Sequence, residues 1–346
     1  VADAPTPARR RRFIVAAALL PVAALALLET ALRIGGSGAP EEAPVLRFMN
    51  PEGTYADEPG GRMAKDPVLF WRLRPGWSSP DGRERYGLGG FRAEFETAKP
   101  AGVRRVACVG DSNTYGLDVP APLAWPALLE SMLRAAPGGG SWQVVNLGVP
   151  GYTSWQERRF VETELAAMSP DVVTIEAGAF NEWLPAVEAI DREQGRRSAW
   201  SRLRTVELVS RWVRPPAPAV TAEEAKARLA SLRSKDYRGP RRVPLAEFEE
   251  DLLAVHAWCA ANGARAVFVA HPLPATTVEA SPIALEYADT VRRAASRTGA
   301  ALADGWAAFR ATGRGDDELF VDFCHPSRLG HEVMARTVLD AVAGPR

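Results

Sequence analysis

Only four histidines occur in the 346 residues, so the search for a general base is short. His325 alone has a carboxylate three residues before it, in Asp322-Phe323-Cys324-His325. Hydrolysis of an ester needs a nucleophile, a base to take its proton, a group that orients the base, and donors for the oxyanion. Pro326 is a good first helical residue, which sets His325 at a helix entrance and Asp322 one turn back in the loop. From there the carboxylate can reach a ring nitrogen and hold the imidazole for proton transfer. Capping of the helix is the competing role for Asp322, and the spacing alone does not separate the two. Ser112, in Val109-Gly110-Asp111-Ser112-Asn113-Thr114-Tyr115-Gly116, is the candidate nucleophile. A Gly-Asp-Ser tripeptide is weak evidence by itself. The G-x-S-x-G elbow is absent, which counts against an α/β-hydrolase.

The elements that must carry these residues give them a common place. From residue 104 onward, strand and helix patterns alternate. Residues 104–110, 142–147, 171–176, 264–270 and 300–303 read as short buried strands. Helices are expected over 122–134, with Leu123, Leu128, Leu129 and Leu133 on one face, and over 154–167, 245–261, 283–297 and 326–342. That alternation implies an α/β fold with a parallel sheet covered on both faces, a three-layer α/β/α sandwich. In such open sheets ligands sit beyond the carboxyl ends of the strands, where strand order reverses. Ser112 follows the first strand, Gly148 and Gly151 the second, Asn181 the third and His325 the last, so all lie on one rim. Gly151 offers an unobstructed backbone N–H, Asn181 a side-chain amide and Ser112 its own N–H to a developing oxyanion. His271, after the fourth strand in Ala270-His271-Pro272, is either a further rim residue or a polar loop residue. His256 and His331 fall on helices as surface or packing residues.

Gly110-Asp111-Ser112, then Asn146-Leu147-Gly148-Val149-Pro150-Gly151-Tyr152-Thr153-Ser154, then Asn181, then Asp322 and His325 occur in the order and approximate spacing of the four blocks of SGNH (GDSL-like) hydrolases. The chain resembles that family from about residue 100 onward. The resemblance implies a five-stranded parallel sheet of flavodoxin-like order. It also implies Ser112 as nucleophile, Asp322 and His325 completing a triad, and Ser112, Gly151 and Asn181 as oxyanion donors. One block departs from the pattern: where the family usually has Gly-x-Asn-Asp, Gly178-Ala179-Phe180-Asn181-Glu182 has Ala179 for the glycine and Glu182 for the aspartate. The expected reaction is hydrolysis of acetyl or short acyl esters through an acyl-Ser112 intermediate, with no metal or organic cofactor. An O-acyltransferase using the same triad, and a non-catalytic envelope binding protein on the same scaffold, are the alternatives.

The N-terminus decides the expected compartment. Arg9 to Arg12 form a block of four positive charges, followed by an uncharged apolar run from Phe13 to Leu28. Carried on to Ile34, a helix there spans about 33 Å at 1.5 Å per residue, roughly one bilayer core. Basic residues stay on the cytoplasmic side, so the rest of the chain is expected outside, on the periplasmic side. No good A-x-A cleavage site follows, which favours a permanent anchor over a cleaved signal. The expected organisation is a basic tail over 1–12, a transmembrane signal-anchor over 13–34, and a linker with a small N-terminal lobe over 35–100. A hydrolase domain over 101–346 follows, carrying a lid-like insertion at 183–244 with Trp183, Trp200, Trp212 and the Pro215-Pro216-Ala217-Pro218 run. The preamble 66–75 and Gly90-Phe91-Arg92 look like those of bacterial membrane-attached family members.

Composition excludes other classes. A formal net charge of zero leaves no electrostatic footprint for nucleic acid, and 47% hydrophobic with 24% charged residues is a globular balance. Cys108, Cys259 and Cys324 stand far apart with no CxxC, against a disulfide framework or a structural zinc site. The expected partners are an acylated glycan, a lipid or a small ester, and the membrane through the N-terminal helix.

Overall fold

The computed structural model describes residues 7–35, 61–66, 68–136, 140–186, 189–201, 203–205, 208–209 and 237–344. Within them β1 (Met63–Asp66) and β2 (Phe70–Leu73) form an antiparallel hairpin. The other strands are β3 (Val103–Gly110), β4 (Ser141–Gly148), β5 (Val172–Glu176), β6 (Arg265–Ala270) and β7 (Ala301–Asp304). They make one parallel sheet in the order β4-β3-β5-β6-β7. The first strand of the sheet thus lies inside it, and the direction of winding reverses beside β3, where a ligand crevice belongs.

Alternation along the strands shows how both faces are buried. Val106 and Cys108 of β3, Val172 of β5 and Val267 and Val269 of β6 face one layer, with Leu129, Leu133, Met334 and Val338. Those four come from the helices Trp125–Ala135 and Arg328–Ala343. Ala107, Val109, Val173, Ile175, Ala266 and Phe268 face the other, with Phe160, Phe248, Leu252 and Val291. This second layer comprises the helices Ser154–Thr163, Leu245–Ala261 and Ile283–Thr298. The three-layer α/β/α sandwich expected from the strand and helix rhythm is therefore present.

The N-terminal lobe is bound into that second layer. Met63, Leu69, Phe70, Trp71, Leu73, Tyr86 and Phe91 are all buried within the same core. Asp66 makes the hairpin turn, its Oδ1 accepting the Val68 and Leu69 N–H groups at 2.8 Å each while Oδ2 pairs with Arg72 Nε at 2.7 Å. No strand was expected within 35–100, because a four-residue strand is too short for its alternation to register.

The insertion is also less separate at its ends than an overlying lid would be. Trp183, Leu184, Asp191, Gln194, Arg242 and Val243 are buried. Arg242 and Asp191 form a fully buried ion pair at 2.8 Å, and Trp183 gives its Nε1–H to the Ala179 carbonyl at 3.0 Å. Trp183 is therefore committed to the core and not offered to a ligand. The Trp200 side chain, Trp212 and the proline run lie outside the described residues, as do residues 36–60.

The helix Pro7–Ile34 contains a stretch, Val15–Ile34, with a mean hydropathy of 2.1 and no buried residue. Among the described residues it is the one helix long and apolar enough to cross a membrane. Near its end Glu29 accepts hydrogen bonds from the Arg204 and Thr205 N–H groups at 3.0 Å each.

Candidate active site

Ser112 opens a one-turn helix, Ser112–Tyr115, directly beyond β3, with Asp111 as its N-cap accepting the Asn113 N–H at 2.8 Å. Asn146 ties this turn to β4: its Nδ2 donates to the Tyr115 carbonyl at 3.2 Å and its Oδ1 accepts the Gly148 N–H at 3.0 Å. Only glycine fits at 148, because a Cβ there would meet the Tyr115 nitrogen at 2.2 Å. These contacts hold the Ser112 turn tightly against the sheet.

Across the rim, the Asp322 carboxylate does two things. Its Oδ1 accepts the backbone N–H groups of Cys324 and His325 at 2.8 and 2.7 Å, and its Oδ2 accepts from His325 Nδ1 at 2.7 Å. His325 Nε2 then lies 2.9 Å from Ser112 Oγ. Burial opposes ionisation of Asp322, but the imidazole and the two backbone donors outweigh it and lower its pKa to about 2. A charged Asp322 requires Nδ1 to carry the proton, which leaves Nε2 free to accept the Ser112 hydroxyl proton. The carboxylate thus shapes the loop instead of capping the following helix. That helix starts two residues later than expected, at Arg328, because Ser327 supplies the capping hydroxyl to the Gly330 N–H at 3.2 Å. Pro326 instead pairs with Phe320 in an isolated bridge.

The other two proposed donors are Asn181 and Gly151. Asn181 Nδ2 donates to Asp111 Oδ2 at 2.8 Å, so the amide nitrogen faces the Ser112 turn and keeps its second N–H to spend. Gly151 adopts φ +84°, a left-handed value that favours glycine. Glu182, the departure from the family pattern, accepts the Ser154 N–H at 3.0 Å. It thereby joins the Asn181 loop to the first turn of the helix after Gly151. Burial and then the charge of Glu176 push Asp111 up to about 6.

A support beneath the site escaped the sequence reading. Glu176, at the end of β5, binds His271 Nδ1 at 2.7 Å, Trp125 Nε1 at 3.0 Å and the Thr114 hydroxyl. His271 Nε2 donates to the Cys324 carbonyl at 3.1 Å. Burial disfavours both charges, yet the Glu176 carboxylate keeps the His271 pKa above its ordinary value while His271 keeps Glu176 below its own. One buried ion pair therefore connects the Ser112 turn to the Asp322–His325 loop. A carboxylate ending the short strand pattern at residues 171–176 was the available signal. Asp322, Cys324 and His325 have ligand atoms within 4.8 Å of one another, but both nitrogens of His325 are engaged, one by Asp322 and one by Ser112. Beside His325, the rings of Phe180 and Phe323 lie 4.9 Å apart and form a half-buried apolar wall.

Glu157 gives this region a pH signature. It is fully buried and neither of its carboxylate oxygens has a hydrogen-bond partner among the described residues. Burial, followed by the charge of Glu182, raises its pKa well above the carboxylate range. A carboxyl raised in this way stabilises the fold below its unfolded pKa, and that contribution is lost as pH rises through the folded one. Glu157→Gln should therefore raise the thermal midpoint by about 3 °C or more at pH 8 and change it little at pH 5. A difference independent of pH in thermal unfolding would contradict this.

The family model of the GDSL-like Lipase/Acylhydrolase family matches residues 108–333. Among solved structures, the chain is 18% identical to TesA, covering 69% of this chain and 98% of that one with a TM-score of 0.45. It is 18% identical to Axe2, an acetylxylan esterase from Geobacillus stearothermophilus, over 70% and 95% of the two chains, with a TM-score of 0.47. LAE5, an alpha/beta hydrolase enzyme from the metagenome of Lake Arreo, is 19% identical over 71% and 97%, with a TM-score of 0.47. No curated protein matches the chain. The family match spans well over half of the sequence and takes in Ser112, Gly151, Asn181, Asp322 and His325; the chain belongs to the GDSL-like lipase/acylhydrolase family and is an ester-hydrolysing enzyme.

Proposed function

We propose that the chain is a serine esterase that removes acetyl or short acyl groups from glycans or lipids outside the cytoplasmic membrane. The observation that carries this reading is the continuous relay from Ser112 Oγ through His325 to Asp322, at 2.9 and 2.7 Å. His325 Nε2 takes the hydroxyl proton as Ser112 Oγ attacks the acyl carbon. The N–H groups of Ser112, Gly151 and Asn181 receive the oxyanion. His325 passes its proton to the departing alcohol, which leaves an acyl-Ser112 ester. Water then enters, gives a proton to His325, attacks the ester and releases the acid, and the proton returns to Ser112.

The apolar wall of Phe180 and Phe323 suits an acyl chain. An extracytoplasmic position is supported by the apolar helix of membrane-crossing length and the Arg9–Arg12 block before it. The domain organisation follows: a basic tail over 1–12, an anchor over 13–34, a linker and lobe over 35–100, and the hydrolase domain over 101–346 with its insertion at 183–244. Within that insertion, the part between the buried ends sets the choice of larger substrates.

Hydrolysis of p-nitrophenyl esters of increasing acyl length tests the reading. Turnover should be greatest from acetate to butyrate and fall for longer chains. Replacing residues 203–236 by a Gly/Ser linker keeps Asp191 and Arg242 in place, so acetate cleavage should persist while deacetylation of polymeric glycans is lost. Absence of hydrolysis with every ester would refute the proposed activity, and loss of both activities together in a folded variant would refute the role of the insertion.

A further inference from the structure

We infer that Trp71, in the hairpin before the family-matched region, is a positioning residue that aims the Gly151 N–H at the oxyanion; this rests on the proposed role of Gly151 as a donor. Two peptide planes meet at the Gly151 Cα, and each is held by hydrogen bonds. In the plane before it, the Pro150 carbonyl accepts the Trp71 Nε1–H at 3.0 Å. A trans peptide points its C=O and N–H in opposite directions, and this bond is trans. Holding the Pro150 oxygen on Trp71 therefore turns the Gly151 N–H to the side away from the hairpin. That N–H has no acceptor among the described residues, so it is left for a ligand.

The plane after Gly151 is fixed as well. Arg242 Nη1 donates to the Gly151 carbonyl at 3.0 Å, and the Tyr152 N–H donates to the Val149 carbonyl at 3.1 Å. Trp71 is itself clasped, since its carbonyl accepts the Tyr152 hydroxyl at 2.7 Å and its side chain is fully buried. Phe70, just before it, holds a left-handed φ of +69°, a conformation that is strained for a bulky residue. It is kept there against Trp155, whose ring it stacks on at 5.0 Å. The hairpin thus delivers one indole N–H to one carbonyl behind the catalytic rim. Glycine at 151 permits the required φ but leaves both planes soft, and a donor that must be in place before reaction needs them fixed.

Two replacements remove the N–H and keep an aromatic ring: Trp71→Phe, and incorporation of 3-benzothienylalanine at position 71, which puts sulfur where the N–H was and preserves the two-ring shape. In the full chain, both should lower kcat on p-nitrophenyl acetate by about ten- to a hundredfold, the scale of losing or misaiming one oxyanion donor. KM should stay within about twofold. Affinity for an alkylboronic acid, which forms a tetrahedral adduct with the serine, should fall in proportion to kcat/KM. Leu73→Val loosens the same hairpin without removing a bond to the loop; it should lower the thermal midpoint and leave boronate affinity unchanged. The benzothienyl variant keeps the test open should Trp71→Phe fail to fold. If both folded variants keep wild-type kcat and boronate affinity while Ser112→Ala is inactive, Trp71 does not aim the donor and the triad reading stands. An active Ser112→Ala would instead remove the reading on which the inference depends.

Discussion

Ser112→Ala is expected to lower ester hydrolysis by at least about 10⁴-fold, since loss of a triad nucleophile removes the covalent route and leaves only binding and oxyanion stabilisation. Ser112 Oγ is bonded to His325 at the rim, while the turn around it is held by Asp111 and Asn146. The fold should therefore survive the change, with a thermal midpoint within about 2 °C of wild type. Steady-state turnover and thermal unfolding measured on the same preparation separate the two effects. A variant that retains more than about a tenth of wild-type turnover would show that another group attacks the ester.

The second large effect is expected from Asp322→Asn. The Cys324 and His325 N–H groups both point at Oδ1, so an asparagine must place its amide oxygen there and turn its NH₂ toward the imidazole. His325 Nδ1 then has to accept, which moves the ring proton to Nε2, facing Ser112. A protonated Nε2 cannot take the hydroxyl proton, so kcat should drop by about 10³- to 10⁴-fold with the loop geometry intact. Because an asparagine amide carries no titratable proton in the working range, raising the pH should not restore the variant. Turnover within tenfold of wild type would mean that Asp322 does not govern the tautomer of His325.

How much of this was legible in the sequence depended on how local the signal was. Strand β3 and the helix Leu245–Ala261 follow from hydrophobic pattern and length, and both were placed from the sequence to within a residue. Ser112, Gly151, Asn181, Asp322 and His325 could be assigned to one rim because each follows a strand or the last loop, and the parallel topology does the rest. What escaped depends on side chains meeting across long stretches of chain. The Glu176–His271 pair joins residues 95 apart, and Arg242 reaches Gly151 across 91. No periodicity encodes such pairs. Cap competition moved the last helix from Pro326 to Arg328, since a serine one residue on outweighed the proline. Trp183, counted with the lid-like insertion, is buried in the core, and a tryptophan in an insertion carries no mark of burial. The effect of Glu182 could be judged only once its reach to the Ser154 N–H was visible.

The central claim is that Ser112 becomes acylated, and covalent trapping tests it most directly. Incubation of the full chain with a fluorophosphonate, followed by peptide mass mapping, should yield one stoichiometric adduct on Ser112, formed in step with loss of hydrolysis and absent from Asp322→Asn on the same timescale. An adduct on a different serine, or full inactivation with Ser112 unmodified, would contradict the account.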